Sequence, residues 1–124
     1  MTPETVLLRQ VHPNFAPDGQ LSSQAFFPFP KDKNHLSVYD GDQISAVDAY
    51  DHYVNVLRNQ SCGVWGVTQL EVSGVGLESK ADVLDDFPSH AVIVFADASE
   101  KECRKLAKKM RALAVARGCL HSVP

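Results

Sequence analysis

The last third of the chain constrains the fold most, because an apolar run, a capped amphipathic helix and a second apolar run follow one another. Residues 91–96 are all apolar and include β-branched side chains, and the run is too short for a core helix, so it predicts a buried strand. Ser99 and Glu102 have the spacing of a capping box, and Gly118 suits a left-handed helix end. With a short strand at 119–123, the pattern predicts a C-terminal β-α-β unit.

The helix between these strands has two chemically different faces. Apolar residues recur at helical spacing on the face expected to pack inward: Cys103, Leu106, Ala107, Met110, Leu113 and Ala114. The opposite face is basic and is expected to point to solvent: Lys101, Arg104, Lys105, Lys108 and Arg111. Residues 99–124 carry a net charge of +5 and residues 1–98 carry −8, so unlike patches can attract a partner or a second copy.

The rest of the chain predicts a second helix and more strands. Ser45 can cap a helix over residues 46–58, whose inward side would be Val47, Tyr50, Val54 and Leu57 and whose outward side would be Asp48, Asp51, His52 and Asn55. Thr68 and Glu71 predict a short helix at 69–75, and strands are expected at 6–11, 36–39 and 63–67. We therefore expect one α+β domain over residues 1–124, with a mixed sheet of four to six strands and two main helices packed on it.

Composition argues against several classes of protein. The chain has 124 residues, 44% of them hydrophobic, and a mean hydropathy of −0.15, and no run approaches the roughly 18 apolar residues that span a bilayer. Its start lacks the basic and apolar regions of a secretory signal, so we expect a cytoplasmic protein. Three cysteines without a C-x-x-C pair and five histidines without metal-binding spacing predict neither metal nor cofactor.

A long N-terminal loop is the first candidate for a catalytic site. More than twenty residues with several prolines separate the first two expected strands, and such loops are often functional. A histidine, a hydroxyl and a carboxylate can serve as base, nucleophile and orienting group. The loop's candidates for a small hydrolase or transferase are His12, Ser23, Lys31 and Asp32. The alternative is that these side chains, with Ser22, His35, Ser37, Asp40 and Asp42, only satisfy the loop's backbone.

Protein–protein contact is the function that the sequence favours, because no catalytic motif is assembled. Two prolines keep the aromatic segment of the loop out of a central strand. The candidate contact residues are Phe26, Phe27 and Phe29 of this segment, together with the basic residues of the last helix. We expect a small binding or regulatory protein, such as an accessory subunit, an immunity factor or an antitoxin-like partner, that binds another protein or itself. Nucleic acid is not an expected partner, because the sequence pI is 5.9 and the aromatic residues do not interleave with the basic ones.

Several strings in the chain resemble a family of small uncharacterised bacterial proteins. They are RQVHP at 9–13, DG at 18–19, SSQAF at 22–26, KD at 31–32, LSVYDGD at 36–42 and PSHAVI at 88–93. The resemblance implies a stand-alone bacterial cytosolic domain. It carries no activity and no catalytic residue across to this chain.

Overall fold

The computed structural model describes residues 1–28 and 34–122, and its centre is one six-stranded sheet. The strands are β1 (Val6–Val11), β2 (His35–Asp40), β3 (Gly63–Thr68), β4 (Glu78–Ala81), β5 (His90–Val94) and β6 (His121–Ser122), in the order β4-β5-β2-β1-β3-β6. The helices are α1 (Ala46–Asp51), which continues as a π-helix (His52–Val56), then α2 (Gln69–Gly74) and α3 (Glu100–Arg117). The expected α+β class is thus confirmed.

The pairing in the sheet differs from the expected mixed pattern, because every neighbouring pair of strands is antiparallel. β5 and β6, which flank α3, point the same way, and three strands lie between them. An 18-residue helix is about 27 Å long, and strands are spaced about 4.8 Å apart, so α3 carries the chain across β2, β1 and β3. The β-α-β unit is therefore present without direct pairing of its two strands.

Each face of the sheet is covered by different elements. The larger core lies under α3 and the N-terminal loop, where the stripe of α3 buries Cys103, Ala107, Met110 and Ala114 as predicted. The Ser99–Glu102 capping box forms, and Gly118 ends the helix at φ 94°. The smaller core lies on the opposite face under α1 and consists of Leu8, Tyr39, Ala49 and Val64.

The N-terminal loop folds onto the larger core as short 3-10 turns at Pro13–Phe15, Pro17–Gly19 and Ser23–Phe26. Phe26 is 0% exposed and so is a core residue, which corrects its assignment to a contact surface; Phe27 is half-buried. Pro13 and Pro17 each begin one of these turns, and the third turn places Phe26 in the core under α3. Phe29, Lys31 and Asp32 lie outside the described residues.

The second helix changes its winding halfway, and its faces differ from the predicted ones. Leu57 N–H donates to the carbonyl of His52 at 3.0 Å, a bond over five residues. The wider π-turn shifts the residues that follow relative to the 3.6-residue period. Val47, predicted inward, lies before the π-turn and is 57% exposed, because Ala46 and Ala49 face the smaller core instead. His52, predicted outward, contacts Tyr39 on the sheet.

In residues 1–28 and 34–122, no helix has both the length and the apolar character needed to cross a membrane.

Candidate functional site

A cleft of about 530 Å³ opens on the α1 face of the sheet. Its floor is formed by β1, β2 and β5, one wall by the end of the π-helix and the residues after it, and the other wall by the 82–90 segment. That segment turns tightly at Leu84–Phe87, where each residue's N–H bonds to the other's carbonyl. The lining residues are Arg9, Gln10, Ser37, Val38, Tyr39, Tyr53, Leu57, Asn59, Leu84, Phe87 and His90.

The floor of the cleft opens because β1 and β2 separate. Within the described residues their pairing ends at Leu8 and Tyr39. Beyond that point the side chain of Arg9 bonds to the backbone, with Nη1 donating to the Ser37 carbonyl at 2.9 Å and Nε to the Ala25 carbonyl at 2.7 Å. Through these two bonds the Arg9 side chain links the Ser37 backbone in β2 to the N-terminal loop and holds it in place.

A serine, a histidine and an aspartate form a hydrogen-bonded chain in this cleft. Ser37 Oγ lies 3.2 Å from His90 Nε2. His90 Nδ1 lies 3.1 Å from Asp82 Oδ2 and 3.0 Å from the Asp82 carbonyl oxygen. Ser37 is exposed, His90 is 8% exposed and the Asp82 side chain is 49% exposed, so the hydroxyl is accessible while the imidazole is held.

The partners of His90 determine its tautomer. A carbonyl oxygen and an ionised carboxylate only accept hydrogen bonds, so Nδ1 must carry the proton that it donates to Asp82. In the neutral imidazole Nε2 is then unprotonated and accepts from the Ser37 hydroxyl. This is the tautomer in which a histidine can remove a proton from a serine.

Three further rings, those of Phe87, Tyr39 and His52, lie around the site, with Phe87 at their centre. Its ring centroid lies 4.5 Å from that of Tyr39 and 4.8 Å from those of both His52 and His90. Tyr39 and His52 are also hydrogen-bonded, with 2.8 Å between the phenol oxygen and Nδ1. Burial, with a smaller contribution from the neighbouring Tyr53, raises the pKa of Tyr39, so its hydroxyl keeps its proton.

Gln10 presents an unusual polar group in the same cleft. The residue is 5% exposed, and its Oε1 accepts a hydrogen bond from Ser61 Oγ at 2.8 Å. Its amide nitrogen Nε2 has no hydrogen-bond partner among the described residues. A buried donor without a partner costs about 1–3 kcal/mol, and a bound carbonyl or carboxylate would offset that cost.

The catalytic residues expected in the N-terminal loop are not brought together where they are described. His12 caps a 3-10 turn, and its Nδ1 accepts from the Asn14 amide at 3.0 Å. Ser23 begins another such turn, and no bond between these two side chains occurs in the described residues. Lys31 and Asp32, as noted, fall outside that part of the chain.

The basic face of α3 is solvent-facing as expected, but two of its members have intramolecular partners. Arg104 forms an ion pair with Glu100 on the same helix, and Arg111 Nε donates to the Leu21 carbonyl at 2.7 Å. The exposed lysines of this face are Lys101, Lys105 and Lys108.

Sequence reasoning overlooked the Ser37–His90–Asp82 chain because its members come from three separate segments. A signal was present for two of them. Ser37 is the one small polar residue inside the apolar run 36–39, and His90 immediately precedes the apolar run 91–94. A buried polar side chain needs a hydrogen-bond partner, so a histidine beside an apolar strand indicates one, and Ser37 and Asp82 are the partners of His90.

No group of three or more metal-ligating side chains occurs within residues 1–28 and 34–122. Comparisons with protein-family models, with curated proteins and with solved structures found no match for this chain. The resemblance to small bacterial proteins is not tested by them and stays a prediction.

Proposed function

We propose that this protein is a small serine hydrolase that cleaves carboxylic esters, with Ser37 as nucleophile, His90 as general base and Asp82 as the orienting group. The observation that carries the proposal is the bond from the accessible Ser37 hydroxyl to His90 Nε2, with the other ring nitrogen bonded to Asp82. The sequence left a small hydrolase or transferase open as the alternative to a binding protein, and the residues proposed here differ from those candidates.

In the acylation step, Ser37 Oγ attacks the ester carbonyl carbon while His90 Nε2 takes the hydroxyl proton. The tetrahedral intermediate collapses, the bond to the alcohol oxygen breaks, and His90 returns the proton to the departing alcohol. A water molecule then attacks the acyl-serine, His90 removes its proton, and the collapse of the second intermediate releases the carboxylic acid. The proton passes back to Ser37 Oγ, and the site is regenerated.

Asp82 has a smaller part than His90 in this scheme. Its side chain is half exposed, so water competes for the carboxylate and weakens the electrostatic gain. Its backbone carbonyl also accepts from Nδ1 at 3.0 Å, and that acceptor remains when the side chain is changed. We therefore expect Asp82→Asn to lower kcat far less than His90→Asn.

The test is hydrolysis of p-nitrophenyl acetate together with labelling by a fluorophosphonate, which forms a covalent bond with an activated serine. Wild type should turn over the ester and gain one label at Ser37, located by peptide mass spectrometry. Ser37→Ala should abolish both, and His90→Asn should reduce both at least a hundredfold, the scale of general base catalysis.

Ser73→Ala is the matched control, since Ser73 is an exposed serine on α2, and it should keep wild-type rates. Because Ser37 is exposed, its alanine variant is expected to fold, which a thermal melt checks. Ester turnover equal in wild type and Ser37→Ala, or a label on another serine, would contradict the proposal.

A second proposal concerns the basic face of α3 and retains the binding function expected from the sequence. It is supported by the exposure of Lys101, Lys105 and Lys108 and by the acidic excess of residues 1–98. Unlike patches favour association, either with a second copy or with an acidic protein. Its test is a charge reversal on α3, described in the Discussion.

A further inference from the structure

We infer that the cleft selects esters whose alcohol part carries an aromatic ring, with the ring against Phe87 and the carbonyl oxygen received by the Gln10 amide. This inference rests on the proposed hydrolase function and adds a substrate class and a catalytic residue to it.

The strand order determines on which side of Ser37 the alcohol part and the carbonyl oxygen of such an ester would lie. β2 lies between β5 and β1, so Ser37 has His90 on one side and Gln10 on the other. His90 must reach both the serine and the departing oxygen, because it transfers one proton between them. The alcohol part of the ester therefore lies toward β5, and the carbonyl oxygen points toward β1.

An aromatic wall stands on the alcohol side. The Phe87 ring lies 4.8 Å from the His90 ring at an interplanar angle of 70°, and 4.5 Å from the Tyr39 ring. Phe87 is itself half-buried and lines the cleft, so part of its surface faces the substrate. Aromatic rings pair favourably at centroid distances of 4.5–7 Å, and a ring on the alcohol part gains that contact beside the scissile bond.

A hydrogen-bond donor stands on the carbonyl side. Gln10 is 5% exposed and its Nε2 has no partner in the described part of the chain, while the bond from Ser61 Oγ holds the other end of the amide at 2.8 Å. Nε2 has less than 1 Å² of accessible surface, so the amide must turn slightly to meet the carbonyl oxygen, and the hydrogen bond gained there offsets the cost of its unpaired burial. Gln10 Nε2 thus supplies the donor that the tetrahedral intermediate needs.

The experiment compares 2-phenylethyl acetate with 2-cyclohexylethyl acetate, which have similar size and leaving groups of similar basicity but differ in aromaticity. Wild type should show a kcat/KM about three- to tenfold higher for the phenyl ester, the scale of one aromatic pair. Phe87→Leu should bring the ratio close to one. Phe15→Leu, a half-buried ring that packs on the larger core, should keep the wild-type ratio.

Gln10 is tested with Gln10→Met, which has nearly the same length and no donor. Loss of one oxyanion donor lowers kcat about a hundred- to a thousandfold, with KM little changed, whereas a purely structural role would lower the melting temperature and leave kcat of the folded fraction intact. A ratio near one in wild type, or a full kcat in Gln10→Met, overturns this inference even when turnover depends on Ser37. No Ser37-dependent turnover of p-nitrophenyl acetate would instead overturn the hydrolase proposal itself.

Discussion

Ser37 and His90 are 53 positions apart in the chain, yet Ser37 Oγ and His90 Nε2 are separated by 3.2 Å. The antiparallel register of β2 and β5 brings this about, since Ser37 lies opposite Val92 and Tyr39 lies opposite His90. The two residues are therefore diagonal neighbours on one face of the sheet, a separation that a long side chain can bridge. Tyr39 occupies the position directly across from His90, so it adds its ring to the same site.

Tyr39 should make the protein less stable in alkali. Burial raises the pKa of its phenol above the ordinary value of 10.0, so the folded state holds the proton more tightly than the unfolded chain does. Below about pH 10 both states are protonated and the contribution is complete; above it the unfolded chain loses its proton first, and the free energy of unfolding falls as pH rises. Urea midpoints between pH 8 and 11.5 should fall less steeply for Tyr39→Phe than for wild type. Parallel curves would show that another group governs the alkaline loss.

Glu71 should stabilise the contact between α2 and α3 above pH 4.5. Burial alone would raise the pKa of its carboxyl, but the hydrogen bond and charge of Arg117, at 2.7 Å, and the bonds of Thr68 outweigh burial and lower it. A lowered pKa stabilises the fold above the unfolded value and ceases to do so as pH falls through the folded one. We expect Glu71→Gln to cost about 1 kcal/mol at pH 7. In urea melts that cost should shrink below pH 4.5, and a constant cost down to pH 3 would rule out the ionised pair as its origin.

Met110 should be the most sensitive position of α3. Its side chain is 0% exposed within the larger core, so Met110→Ala leaves a cavity and should cost about 2–5 kcal/mol. Val115→Ala on the same helix is the matched control, because Val115 is 47% exposed, and it should cost under about 0.5 kcal/mol. Chemical denaturation of both variants measures the difference, and equal costs would mean that α3 packs by another face.

The basic face of α3 should govern any salt-sensitive association. Lys105 and Lys108 are exposed, so reversing both to Glu should leave the melting temperature nearly unchanged and abolish association measured by sedimentation at low ionic strength. Wild-type association should already weaken near 0.15 M salt, where charges are screened over about 8 Å.

Arg58 and Lys80 are exposed elsewhere on the chain, so reversing that pair changes the net charge equally and should leave association intact. If wild type and both double variants associate equally at every salt concentration, the basic face is only a solvated surface and takes no part in association.

The local elements could be predicted from the sequence because each depends on residues close together in the chain. The capping boxes at Ser99 and Thr68 formed as expected, since a cap needs only a side chain and an amide three residues apart. The π-turn at His52 was not predicted, because the 3.6-residue period gives no sign of where a helix widens. β4 was also overlooked, since Glu78–Ala81 is mostly exposed and polar and owes its strand conformation to pairing with β5.

The α+β class, the course of α3 and the residues that α3 buries follow from the order of amino acids, because apolar periodicity is a local property that hydrophobic burial converts directly into packing. The strand order, and with it the site, follows from contacts between distant segments. Ser37, Asp82 and His90 meet because β2 pairs with β5, and strand pairing depends on which distant segments bury the most surface together. The spacing of residues along the chain does not indicate which strands pair. Local catalytic patterns therefore pointed to the N-terminal loop, whereas Ser37, His90 and Asp82 meet across the sheet.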